Sequence, residues 1–162
     1  MKRPDSRPAA KEPRRHEVAR HSKARFRYEI LETVEAGLVL LGSEVKALRE
    51  GKAQLQEAYA RFRAGELWLL KCHIPEFRHG GGFAAHDPIR PRKLLLHRQE
   101  MGRLFTRVTQ KGLTLVPVSL YFNEDGRAKM ELALARGRKT HDKREAIRTR
   151  EAKAEVRRAA RR

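Results

Sequence analysis

The chain has 162 residues and carries 38 Lys plus Arg against 20 Asp plus Glu, a formal charge of +18, which is one domain's length with a bias toward polyanionic partners. No apolar run approaches the roughly 18 residues that cross a bilayer, and the first 25 residues are basic, contain Pro4, Pro8 and Pro13 and lack an apolar stretch, so neither a membrane span nor a secretory signal is expected. The single cysteine, Cys72, excludes an internal disulfide framework and a thiolate-only zinc cluster and fits a reducing cytoplasm.

Charge divides the chain into three parts. Residues 1–25 hold nine basic and three acidic side chains, and residues 136–162 hold twelve and four. Residues 26–135 hold 17 and 13, together with all ten aromatic residues. About 110 residues bury well over half of their unfolded surface, enough for one core without metal or disulfide. Both ends lack the aromatic and branched side chains that offset chain entropy, so both are expected to be disordered in isolation. The domain reading is a basic arm over 1–22, a body over 23–135 and a basic tail over 136–162.

In chain order, residues 26–48 (FRYEILETVEAGLVLLGSEVKAL) open with an alternation that puts Phe26, Tyr28, Ile30 and Glu32 on one side. Two strands are expected from them, with Gly37 permitting a bend and residues 38–41 continuing as the second. Ser43 then caps a short helix that turns Val45 and Leu48 inward and stops at Gly51. Residues 54–74 read as a hairpin around Ala64 and Gly65, with Leu55, Tyr59 and Trp68 as packing residues. The glycine run 80–82 matches neither phosphate-loop nor dinucleotide spacing and reads as a mobile loop. Met101, Leu104, Phe105 and Val108 fall at i, i+3, i+4, i+7 and predict a core-facing helix over 97–110 despite Gly102. Residues 113–122 and 127–134 flank the turn-forming NEDG at 123–126 and make a last hairpin. Pro117 lacks an amide donor, so its strand lies at an edge or carries a bulge.

The sum is a mainly β body with flanking helices, an antiparallel barrel of about six strands, closed or nearly so. Barrels of the oligonucleotide-binding type offer a strand face and loops to RNA, which agrees with the charge. The tail, free of Gly and Pro from residue 142 on, holds a latent helix. Ile147 and Val156 would point to opposite sides of it, so no apolar stripe docks it on its own body. Lys143, Arg150, Arg157 and Arg161 would form one cationic ridge suited to folding on RNA.

Metal and catalytic patterns are weak. The densest cluster, Cys72 with His73, His79 and His86, matches no zinc spacing, and adjacent strand residues face opposite ways. No nucleophile elbow or paired-carboxylate signature occurs, and Asp87 before Pro88 reads as a turn-capping or Arg-pairing residue.

Four ordered stretches carry a resemblance. KARFRYEILETVEAGLVLLGSEVKALREGKAQLQEAYA (23–60), DPIRPRKLLLH (87–97), GLTLVPVSLYF (112–122) and RGRKTHDKR (136–144) resemble the SsrA-binding protein family, also called small protein B. The resemblance covers residues 23–150 and implies an oligonucleotide-binding-type barrel without enzymatic activity or cofactor. It implies a monomer that binds the tRNA-like domain of alanine-charged transfer-messenger RNA (tmRNA). The family accompanies that RNA, with elongation factor Tu, into ribosomes stalled on messages lacking a stop codon.

By the same resemblance Glu35, Leu95 and Lys129 meet the RNA, with Arg90, Arg92 and Lys93 beside them and Lys23 and Arg25 in the basic segment leading into the body. A carboxylate accepts hydrogen bonds from base amino groups or ribose hydroxyls, and cations release phosphate counterions. Without the resemblance, Leu95 would be assigned to the core and Glu35 to a solvated turn. Gly137, Arg138, Lys139, His141, Asp142, Lys143 and Arg144, followed by Ile147, belong to the segment that enters the vacant decoding site and message path against small-subunit rRNA. There the tail turns helical, with Asp142 as a cap and His141 stacking on a base. His21 and Ser22 depart from the Asn and basic residue usual in the family. A general ribosome-associated RNA-binding protein or RNA chaperone is the alternative, and an RNA-processing enzyme the third class.

Overall fold

The structure, a computed structural model, describes residues 15–77, 85–138 and 140–159. Its elements are β1 (His16–Arg20), α1 (Ala24–Arg27), β2 (Tyr28–Leu38), α2 (Gly42–Arg49), β3 (Tyr59–Arg63), β4 (Glu66–Leu70), β5 (Arg92–Leu95), α3 (Arg98–Lys111), β6 (Thr114–Phe122), β7 (Ala128–Gly137) and α4 (Thr140–Ala159). The glycine run 80–82 and His79 lie outside the described residues.

Six strands close on themselves in the antiparallel order β6-β3-β4-β5-β2-β7 and back to β6. Closure satisfies the backbone groups that an open sheet would leave at its edges. Strand β6 carries two partners on one side: near its start Leu115 pairs Ala60 of β3, while residues 119–122 pair β1. A six-stranded barrel is present as expected, but one of its strands, β5, was not among those read from the sequence and stands where a strand over 38–41 was expected; β1 is a seventh strand laid on it.

Alternation along the strands fills the interior. Leu67, Leu69, Leu94, Leu115, Leu120, Met130, Leu132 and Leu134 form one buried cluster with Leu48 of α2 and Leu104 of α3. Each such side chain contributes roughly 1.5–3 kcal/mol by leaving water. The β3–β4 turn has positive φ at Ala64 and Gly65, the pair of left-handed residues that a two-residue hairpin with the right twist demands. In the β6–β7 turn, Asn123 accepts from Gly126 through its carbonyl (3.0 Å) and from the Arg127 amide through Oδ1 (2.9 Å). The register of β6 on β7 shifts between Pro117 and Ser119, so the proline sits at a bulge in a strand paired on both sides.

Several expectations are corrected. Phe26 lies in the one-turn helix α1, and the strand starts only at Tyr28. Gly37 does not end β2, because it is held between Leu95 of β5 and Lys129 of β7; residues 38–41 form no second strand. The helix that Ser43 was expected to cap begins instead behind Leu41, whose amide donates to Glu44 Oε2 at 2.8 Å, while the Ser43 hydroxyl meets His86 Nδ1 at 2.9 Å. Phe105 is half exposed, set edge-on to Phe62 with ring centroids 5.3 Å apart. The arm assigned to residues 1–22 supplies β1, and Gly137 still pairs Tyr28, so the barrel runs from His16 to Gly137. The tail's helix is formed in the chain by itself, and it meets the body at α1 rather than standing free of it. Ile147 and Phe26 line the cleft between the two helices. Among the described residues no helix is long and apolar enough to cross a membrane.

Candidate RNA interface

Residues 35, 95 and 129 come from three neighbouring strands and share one open basin. β2 pairs β5 with Gly37 opposite Leu95, and pairs β7 with Gly37 opposite Lys129. The basin, about 680 Å³, is lined by Glu35, Leu95 and Lys129 together with Leu38, His97, Phe122 and Arg127. Lys129 Nζ lies 3.7 Å from Glu35 Oε1, and the Tyr121 hydroxyl donates to Glu35 Oε2. Arg15 reaches the same carboxylate at 3.9 Å and stacks its guanidinium 4.7 Å from the Tyr121 ring centroid. Burial, reinforced by the Glu35 carboxylate, pushes the Tyr121 phenol well above its ordinary value, so it stays a donor. Glu35 is thereby aimed, yet its side chain keeps 47% of its exposure and can still accept from a base or ribose hydroxyl.

Strand parity explains Leu95. In β5, Arg92 and Leu94 face inward while Lys93 and Leu95 face outward, and Leu95 is 49% exposed. An apolar side chain standing in water beside a carboxylate and an ammonium suits packing against an unstacked base. The neighbouring basic residues do not all join it. Arg92 is fully buried: its guanidinium bonds Glu44 Oε1 (2.8 Å), the Cys72 carbonyl (2.6 Å) and the Pro88 carbonyl (3.1 Å). It is corrected from an RNA contact to a core cation. Arg90 completes the network by donating to Glu44 Oε2 at 2.8 Å. Burial raises the Glu44 pKa, but the Arg90 hydrogen bonds, the Leu41 amide and Arg92 outweigh it and hold the carboxyl below its usual range. Lys93 faces outward and pairs Glu66 at 2.6 Å.

Lys23 and Arg25 are both exposed at α1. His21, which precedes them, is buried; its amide donates to the Val118 carbonyl and its Nδ1 lies 3.3 Å from the Pro117 carbonyl. Its Nε2 has no partner among the described residues, and burial lowers its pKa. In the tail motif, Gly137 ends β7 and the Arg138 amide donates to the Arg27 carbonyl, so these two belong to the barrel. Lys139 lies outside the described residues, as do the side chains of His141, Asp142 and Lys143. Helix α4 begins at Thr140, which places Asp142 inside its first turn rather than at its cap. Arg144 and Ile147 are exposed.

Other chemistry finds little support. Among the described residues no three His, Cys, Asp or Glu converge as metal ligands. Burial pushes the Cys72 thiol up to about 11, which makes it a packing group. His86 is tied to Ser43 and to the Ile74 carbonyl at 3.0 Å, and Asp87 Oδ1 caps the Ile89 amide at 3.0 Å in the turn role expected for it. Sequence reasoning missed Arg127, His97, Tyr121 and Arg15. Arg127 directly follows the NEDG turn and His97 stands two residues after Leu95, signals that were available; Tyr121 and Arg15 reach Glu35 only through strand pairings remote in sequence.

A family model described as SmpB protein matches residues 18–162. Proteins of Brucella canis, Brucella suis and Brucella abortus, each named SsrA-binding protein, are 58% identical over 133 residues, covering 82% of this chain and 84% of theirs. A solved chain from work described as "tmRNA-SmpB: a journey to the center of the bacterial ribosome" is 51% identical and superposes with a TM-score of 0.64, covering 80% of this chain and 94% of that one.

Proposed function

The chain belongs to the SmpB family, and on that premise we propose that it binds tmRNA and serves trans-translation on the ribosome. The body grips the tRNA-like domain through the basin of Glu35, Leu95 and Lys129, with Arg127 and the exposed Lys23 and Arg25 meeting nearby phosphates. The tail, from Lys139 through the cationic face of α4, occupies the vacant decoding site and message path against small-subunit rRNA. Elongation factor Tu accompanies the alanine-charged complex. The chain itself carries out no covalent chemistry and needs no cofactor; it works as a monomer in the cytoplasm.

The observation that carries the reading is the convergence of residues 35, 95 and 129, remote in sequence, on one basin of mixed charge and exposed apolar surface. A mere solvated face gives no reason to expose Leu95 there. The division of labour is tested by removing residues 140–162, which leaves every strand of the barrel intact. Binding of the isolated tRNA-like domain is expected to persist while peptide tagging on stalled ribosomes disappears. Parallel loss of both would refute two separate RNA-meeting parts.

A further inference from the structure

A second row of side chains crosses the outer wall of the barrel on β3, β4 and β5. Register sets Arg61 of β3 opposite Trp68 of β4, and Trp68 opposite Lys93 of β5. The chain's one tryptophan thus stands between two cations, each a strand spacing of about 4.8 Å away. All three face outward, because their strand neighbours Ala60, Leu67, Leu69 and Leu94 are the ones in the core cluster. Trp68 is itself half-buried, but it belongs neither to that cluster nor to the residues packed on it. Arg61 and Arg63 are exposed and form no ion pair among the described residues, whereas Lys93 is paired to Glu66 of β4 at 2.6 Å.

We propose that this wall is a stacking platform for an unpaired nucleotide of RNA, with the base on the Trp68 indole and flanking phosphates on Arg61 and on Lys93, which exchanges its Glu66 partner for the phosphate. An aromatic face accepts any base, and interleaved cations track the backbone on either side of it. A protein partner is the poorer fit, since the centre of a protein interface is depleted in charge. The wall is also continuous with the basin: Leu95 follows Lys93 by two residues on the same outward side of β5. The inference rests on the RNA-binding reading of the basin, because one RNA is taken to run from one to the other.

Trp68 being the sole tryptophan, its emission reports on this site alone. The full chain is titrated with an RNA hairpin bearing a short unpaired overhang and with the same hairpin blunt, binding being followed by anisotropy of a dye on the RNA. The overhang RNA is expected to quench Trp68 and to bind more tightly than the blunt one. Trp68→Ala should weaken overhang binding by about 5- to 150-fold, Trp68→Phe should retain most of it, and Arg61→Ala should weaken it with the indole untouched. Circular dichroism checks that the variants fold. Unchanged Trp68 emission at RNA saturation, or parental overhang affinity in a folded Trp68→Ala variant, overturns the platform. If Lys129→Ala lowers affinity for the tRNA-like domain while Trp68 stays silent, only the platform falls; if Trp68 is quenched while Lys129→Ala changes nothing, the platform stands and the basin reading falls.

Discussion

Replacing Arg92 by Met separates a core cation from an RNA-binding one. Arg92 is fully buried and makes three hydrogen bonds, to Glu44 and to the Cys72 and Pro88 carbonyls. Methionine keeps much of the apolar volume, so the loss is electrostatic: the Cys72 carbonyl loses the Arg92 donor, the Pro88 carbonyl keeps only the Ile74 amide, and the buried Glu44 carboxylate loses one of its two cations. Removing one partner of a buried ion pair costs about 3–5 kcal/mol. Arg90 still bonds Glu44, which places this case at the lower end, about 3 kcal/mol. Against a total stability of roughly 5–15 kcal/mol, that lowers Tm by roughly 10–15 °C for a domain of this size. Urea unfolding followed by Trp68 emission and by circular dichroism measures the loss. A second change, Glu44→Gln, should cost less in the Arg92→Met background than in the parent, since the unpaired charge is already the problem there. The affinity of the folded variant for RNA should match the parent. A stability loss below about 1 kcal/mol, the range of an exposed ion pair, or a fall in RNA affinity at full folding, would refute the assignment.

Lys129→Ala should weaken binding to the tRNA-like domain and reduce the slope of log affinity against log salt by about 0.7–0.9, as one lost phosphate contact does; an unchanged slope would show that Lys129 serves Glu35 alone. Leu95→Ala should cost less than about 1 kcal/mol in urea unfolding, against the 2–5 kcal/mol of a core leucine, while RNA affinity drops. The reverse pattern would return Leu95 to the core. His21 is depressed by burial, so its folded pKa lies below the unfolded value near 6.5. Its contribution to stability is whole above about pH 6.5 and is lost as pH falls through the folded value. The urea midpoint should therefore hold above about pH 6.5 and decline as the pH is lowered below it, and His21→Asn should flatten that decline; identical profiles would exclude His21 as its source.

Much of the barrel was legible because alternation and turn chemistry are local. The Ala64–Gly65 and 123–126 turns, the α3 stripe and the Pro117 bulge all followed from a few adjacent residues. The misses share a cause. Strand β1 was hidden inside a basic arm because Val18 and Ala19 become useful only where β6 offers residues 119–122 as a partner. Gly37 read as a break because glycine weakens an isolated strand, but pairing on both sides holds it extended. The tail read as unable to dock because a single Ile147 makes no stripe, yet α1 brings Phe26 to the same cleft.

Composition and periodicity settled what kind of molecule this is, a cationic, mainly antiparallel β body with a basic tail holding a latent helix, since net charge and alternation are properties of the chain however it is placed. Closure of the barrel and formation of the tail helix came only with the tertiary structure. Which of these cations face outward and which are drawn into the core was decided by tertiary structure. Arg92, Lys93 and Leu95 are near neighbours of equal promise in a sequence, but strand parity and the buried Glu44 carboxylate draw Arg92 into the core and leave the other two outside. Only closure of the barrel brings residues 35, 95 and 129 to one basin, because strand pairing joins positions that no local pattern relates.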